Sequence, residues 1–181
     1  MSEAEIERVV AVFTDRGVAW ALVGAHAIGL LTTPRATADF DFIVDGRKLP
    51  EVLLALTEEF GDLGQNDIGA AVQLKAIDVD LIRSTNHPLF QEALQQSRRV
   101  GSWSVPKTEV LIVLKFLAAV SPWRALNRRR QDVIDIVSIF EAVTDLDQAK
   151  LMALSALVYP GAEVEFRSLL DKIEQGSPIS I

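Results

Sequence analysis

The sequence contains no cysteine, which excludes disulfides, thiolate nucleophiles and cysteine-ligated metal centres. Histidine is nearly as scarce: His26 and His87 are the only two, and their spacing matches no zinc motif. Positive charge is in deficit, with 18 Lys and Arg against 25 Asp and Glu and a net charge of −7. There is therefore no global basic field to attract nucleic acid. Long apolar runs are missing too. The stretch from Val110 to Val120 is interrupted by Lys115, so no segment reads as a bilayer span. The opening residues Met1-Ser2-Glu3-Ala4-Glu5 are acidic and lack the basic-then-apolar order of a secretion signal. A soluble protein in a reducing, cytoplasmic setting is expected, with no membrane partner. What is present is 181 residues, 49% of them hydrophobic, enough for one domain, or one domain with a small helical appendage.

The most informative stretch is Thr37-Ala38-Asp39-Phe40-Asp41-Phe42-Ile43-Val44. Its aromatic and β-branched residues favour a half-buried strand. On a strand, positions i and i+2 share a face, so the expectation is that Asp39 and Asp41 point the same way. Two carboxylates so placed repel and raise at least one pKa unless a cation lies between them. Mg²⁺ suits that position, since it takes one or two carboxylates and completes its shell with water and phosphate oxygens. The competing reading is a solvated acidic pair at a strand end.

Upstream, the apolar run Trp20-Ala21-Leu22-Val23 reaches Gly24 and passes into Ala25-His26-Ala27-Ile28. A strand, a glycine turn and a helix start bring backbone N–H groups together where a phosphate can sit. Downstream, Ile77-Asp78-Val79-Asp80-Leu81-Ile82 alternates. Asp78 and Asp80 are expected on one face and the apolar residues on the other. Either acid could join the pair at 39 and 41, or both could line an open, solvated sheet face.

Along the chain, Ser2 and Glu5 read as a capping box for a helix that stops near Gly17. Strands are expected over 18–23, 37–44, 70–75, 77–82 and 99–105. Helices are expected over 25–31, 49–60 and 88–97, and residues 61–69 read as a polar loop. From Thr108, a candidate N-cap, the pattern is helical: a helix broken at Ser121-Pro122, a second over 128–143, and two more over 146–158 and 163–173. The organisation is an α/β part, residues 1–106, followed by a helical part, residues 107–181.

These features together resemble the DNA-polymerase-β-like nucleotidyltransferase superfamily. Its pattern is an apolar strand ending in Gly-Gly or Gly-Ser, a helix, an apolar-flanked Asp-x-Asp and a third acid on a later strand. Gly24 matches the first glycine, Asp39 and Asp41 the acidic pair, and Asp80 the third acid, with Asp78 its competitor. Ala25 stands where the family has Gly or Ser. Pro34-Arg35-Ala36-Thr37-Ala38-Asp39-Phe40-Asp41 is similar to the Arg-x-Thr-x-Asp-x-Asp form of AbiE-type toxin nucleotidyltransferases and small antibiotic nucleotidyltransferases. The segment from Val105 to Lys115, followed by Arg128 to Ile136, looks like the family's helical lysine and Asp-x-x-Asp elements.

The resemblance implies an α+β fold, a mixed sheet flanked by helices and followed by a helical segment. It implies transfer of a nucleoside monophosphate from an NTP to a hydroxyl, with Asp39, Asp41 and Asp80 holding two Mg²⁺ ions. Gly24, Ala25, Arg35 and Lys115 would bind the nucleotide. The acceptor would be a tRNA, a protein or a small molecule; the AbiE-like form implies a toxin with a cognate antitoxin-type protein. A module of the same fold that binds nucleotide or protein without turnover is the alternative, and Ala25 favours it.

The remaining charged residues carry two readings each. Arg35 suits a phosphate or a nearby acid. Lys115, on an apolar helix face, must reach solvent, an acid or a phosphate. Asp132 and Asp135 share a helix face and suit an ion pair with Lys115 or with the Arg128-Arg129-Arg130 run. That run reads as a solvated face or an RNA contact. His26 reads as a packed residue beside the proposed phosphate turn.

Overall fold

The computed structural model describes residues 2–179. Helix α1, Glu3–Asp15, opens on the expected capping box: the Ser2 hydroxyl accepts from the Glu5 amide, and the Glu5 carboxylate accepts from the Ser2 amide at 2.8 Å. Strand β1 is Trp20–Val23, helix α2 Gly24–Gly29, strand β2 Phe40–Val44 and helix α3 Leu49–Phe60. Strands β3 (Gln65–Asp67), β4 (Ala71–Leu74) and β5 (Val79–Arg83) follow, then a 3₁₀ turn over Ser84–Asn86 and helix α4, Pro88–Gln95. A hairpin of β6 (Ser97–Val100) and β7 (Trp103–Pro106) leads into α5 (Thr108–Val120), α6 (Leu126–Ala142), α7 (Gln148–Ser155) and α8 (Ala162–Glu174).

The main sheet runs β1-β2-β5-β4-β3. It is mixed: β2 and β5 are parallel, and every other neighbouring pair is antiparallel. Alternation along the strands gives the sheet two different faces. Trp20, Leu22, Phe42 and Val44 occupy one face, where Phe13 of α1 meets the Trp20 and Phe42 rings at 6.0 and 5.3 Å between centroids. Asp41, Ile43, Asp80 and Ile82 occupy the other, opposite α5. Helix α5 packs against α2, α4, α6 and α7. One hydrophobic core joins the sheet to the C-terminal helices, with Phe116 of α5 and Phe166 of α8 at 4.9 Å. No helix among the described residues is long and apolar enough to cross a membrane.

Several elements differ from the sequence expectation. The single strand over 99–105 is a two-stranded hairpin, because Gly101 adopts φ 59° and reverses the chain. The polar loop over 61–69 contains β3, an edge strand whose Gln65, Asn66 and Asp67 carry no hydrophobic pattern. Thr108 is not a cap: Lys107 holds that position, and no side chain bonds the helix start. Strand β2 begins at Phe40, so Asp39 precedes it. The neighbouring strand β5 begins only at Val79, opposite Phe40, and gives Asp39 no pairing partner. Asp78 lies in the β4–β5 turn with left-handed backbone, φ 45°, so it does not share a strand face with Asp80.

Candidate functional site

At one level of the sheet a row of paired residues crosses all five strands: Val23, Asp41, Asp80, Gln73 and Asn66. Asp41 and Asp80 are direct neighbours on parallel strands, and both open into a cleft of about 820 Å³ between the sheet and α5. Asn66 Nδ2 donates to Gln73 Oε1 at 2.9 Å, and Gln73 Nε2 donates to Asp80 Oδ2 at 3.4 Å. The edge strand thereby orients the central carboxylate.

Gly24 lines the same cleft, immediately after Val23. Its φ is 67°, and a Cβ placed there would fall 2.0 Å from Asp41 Oδ2. The glycine is required twice, by the backbone conformation and by the carboxylate that occupies the space a side chain would need. Ala25 is buried and its side chain is not part of the cleft lining.

The carboxylates carry the electrostatic signature of uncompensated charge. Burial pushes the Asp41 carboxyl up to about 6; Asp80 and Asp39 add to the shift, and Lys115 and Arg124 oppose it. Asp80 is also raised, by burial first and by Asp39, against the Gln73 hydrogen bond. Asp39 is exposed at the foot of β2, close enough for its charge to act on Asp41, Asp80 and His26, but it does not line the cleft. Among the described residues no set of three His, Cys, Asp or Glu side chains is drawn together tightly enough to hold a metal ion. The adjacent pair nevertheless fits Mg²⁺ in its chemistry: hard oxygen donors, two carboxylates, and charge that the protein leaves unneutralised.

Across the cleft Lys115 is 8% exposed. Its ammonium donates to Asp132 Oδ1 at 2.9 Å and lies 2.7 Å from Asp135 Oδ2. Arg124 reaches Asp132 Oδ2 through Nε at 2.6 Å. Arg35 forks onto Asp135, Nε to Oδ1 at 3.0 Å and Nη2 to Oδ2 at 3.2 Å, and Gln131 adds 3.1 Å to Oδ1. Burial pushes the Asp135 carboxyl up, but Arg35, Lys115 and Gln131 outweigh it and hold the group below its ordinary range. Arg35 and Lys115 are thus both engaged by α6 acids, and Lys115 alone of the two lines the cleft. An ammonium has three donors, and the two α6 acids account for two of Lys115's.

His26 does not face this cleft. It stacks on Phe40 at 3.7 Å between centroids and 5° between planes, on the other face of β2, and burial lowers its pKa with Arg35 adding to the effect. Of the arginine run, Arg129 donates to the Ala119 carbonyl at 2.6 Å and closes the end of α5. The sequence reading had no place for Gln73, Asn66 or Trp123. Gln73 and Asn66 lie outside any motif, and the only signal for Trp123 was an aromatic between Pro122 and Arg124 in a polar stretch.

No family model matches the sequence, and no curated protein matches it. Solved structures do. The antibiotic-resistance factor ANT(2'')-Ia, in its solution structure, superposes with a TM-score of 0.55 at 18% identity, over 94% of this chain and 94% of that one. ANT(2'')-Ia in complex with adenylyl-2''-tobramycin gives 0.53 at 16% identity, over 91% and 96%. An antigenic nucleotidyltransferase-like protein from Paracoccidioides brasiliensis gives 0.55 at 18% identity, over 99% and 96%. The α+β architecture is therefore the nucleotidyltransferase fold, with a mixed five-stranded sheet flanked by helices.

Proposed function

We propose that this chain is a metal-dependent nucleotidyltransferase that moves a nucleoside monophosphate from an NTP to the hydroxyl of a small-molecule acceptor. The observation that carries the reading is the Asp41–Asp80 pair, set side by side on parallel strands, facing a cleft and raised in pKa, on this fold. The likeness to ANT(2'')-Ia, solved with an adenylylated small molecule, favours a small acceptor over tRNA or protein.

Asp41 and Asp80 are the residues that would hold Mg²⁺, and Asp39, exposed at the foot of β2, adds negative charge beside them. When bound, Mg²⁺ supplies positive charge to the phosphoryl oxygens and the departing pyrophosphate. The bond broken is that between the α-phosphorus and the bridging oxygen to the β-phosphate. The bond formed joins the acceptor oxygen to the α-phosphorus. Asp80, already raised above its ordinary range, is suited to take the acceptor proton. Lys115 offers its remaining N–H to the triphosphate, and Gly24, without a Cβ, lets the chain approach the phosphates closely, with the Ala25 amide beside it. Arg35 acts at one remove, by tying the segment before Asp39 to α6.

The test is a thermal-unfolding panel of the four NTPs with and without Mg²⁺. Ligand at about 100 times its Kd stabilises by about 2.7 kcal/mol. Stabilisation that needs both NTP and Mg²⁺ and disappears in Asp41→Asn is expected. No shift with any NTP would favour a module without turnover.

A further inference from the structure

Asp41 and Asp80 are only part of the cleft lining. Much of the rest is apolar, including Ile68, Phe90, Leu111, Leu114, Leu117 and Trp123. Two of these are large side chains left open to solvent, Trp123 at 94% and Ile68 at 56%, and they come from different parts of the chain. Trp123 belongs to the α5–α6 connection, and Ile68 to the turn between β3 and β4. Isolated exposed apolar residues are ordinary on a protein surface. Two that border one cleft together with Phe90 make an apolar surface of the kind that holds a ligand body.

Most of the polar side chains that line the cleft are already engaged by the protein. Asn86 Nδ2 donates to the Gly69 carbonyl at 3.0 Å. His87 accepts from the Leu89 amide through Nδ1, and its Nε2 lies 3.3 Å from the Val158 carbonyl. Asp132 is held by Lys115 and Arg124. Apart from Asp41 and Asp80, the cleft therefore presents no carboxylate that is not already ion-paired. Each ammonium of a polycationic acceptor needs a charge partner when it leaves water, and that cleft has none to spare once the catalytic pair is in use.

Resting on the transferase reading above, we infer that the acceptor is an uncharged hydroxyl compound with a bulky apolar body, seated against Trp123 and Ile68 with its hydroxyl directed at Asp41 and Asp80. Polycationic amino sugars of the tobramycin type are excluded as acceptors. The occupant desolvates Trp123, and the polar floor fixes which hydroxyl reacts.

The experiment uses two probes that do not absorb where tryptophan does: 1-adamantanol, an apolar cage with a single hydroxyl, and tobramycin. Tryptophan emission is followed while each is titrated into the full chain, with and without NTP and Mg²⁺. Trp20 is buried and Trp103 is half-buried against Phe40, outside the cleft lining, so a blue shift that is lost in Trp123→Ala reports Trp123. A saturable blue shift with 1-adamantanol is expected and none with tobramycin. Trp123→Ala should abolish the shift, and calorimetry should show adamantanol binding weakened at least fivefold in Trp123→Ala and in Ile68→Ser. Saturable binding of tobramycin, no binding of 1-adamantanol, or adamantanol binding indifferent to both substitutions would each overturn the inference. NTP with Mg²⁺ is titrated by calorimetry into the same proteins. Loss of that binding in Trp123→Ala would also overturn it, by assigning the wall to the nucleobase. Absence of NTP binding in the unaltered chain would instead defeat the transferase reading, while the adamantanol result would still report the wall.

Discussion

Gly24 and Asp41 share one corner of the sheet, and the carboxylate fills the space that a side chain at position 24 would need. Gly24→Ala would put a methyl group into the Asp41 carboxylate and strain a left-handed backbone. The backbone term alone costs about 1–3 kcal/mol. Lower stability in urea and at least tenfold weaker binding of NTP with Mg²⁺ are the expected outcome. Asp41 itself makes a pH-dependent prediction. Its folded pKa is raised, from 3.8 to about 6, so the native chain holds this proton more tightly than the unfolded one. The stability it contributes is full below 3.8 and is lost as pH rises through about 6. In metal-free protein, Asp41→Asn should therefore be more stable than the unaltered chain at pH 7.5, by up to about 3 kcal/mol. The gain should shrink towards zero as pH falls to 4, as read by urea unfolding in the presence of a chelator. A constant difference across that range would mean that Asp41 is not the group under electrostatic load.

At the scale of elements, the acids Asp132 and Asp135 turn α6 into a clamp. They hold Lys115 of α5, Arg124 of the connection and Arg35 of the segment before β2. Stranding a buried charge costs about 3–5 kcal/mol; Asp135→Ala should lose less than that by urea unfolding, because Lys115 keeps Asp132 and Arg35 reaches solvent. Arg35→Ala should cost less, because Lys115 and Gln131 still hold Asp135. Its signature should be faster protease cleavage within residues 30–39, with the core intact. These ties also mark the limit of the sequence reading. Lys115, Asp132 and Asp135 were legible as candidates for one ion-pair group, because helical spacing put the acids on one face. Arg35 read as a partner for a phosphate or for a nearby acid, and nothing local points to an acid a hundred residues away. Alternation put Asp39 and Asp41 on one strand face, but β2 starts only at Phe40, and the preference for Asp80 over Asp78 rested on the resemblance until a left-handed turn removed Asp78 from the strand. Strand β3 and the β6–β7 hairpin were missed for a related reason. Pairing partners, not hydrophobic period, make Gln65–Asp67 a strand, and one glycine reverses a segment that otherwise reads as continuous.

At the scale of the whole molecule, net charge is −7, and the only dense basic run is not all available, since Arg129 is turned onto the Ala119 carbonyl. Retention of tRNA in a mobility-shift assay at about 150 mM salt is not expected, because two neighbouring arginines release too few counterions to hold a polyanion there. Tight, salt-sensitive tRNA binding would reopen a nucleic acid acceptor.

The bond between Arg35 and Asp135 spans 100 positions of chain. Translation proceeds at about 5–20 residues per second, so roughly 5–20 seconds separate the synthesis of the two ends. During that interval the growing polypeptide already carries Asp39 and Asp41, yet the stretch leading to them has nothing to fasten it. The Arg35 tie is thus timed by the emergence of α6 from the ribosome, and a nascent chain stalled before that point carries Asp41 and Asp80 on paired strands without the clamp that fastens the segment before β2.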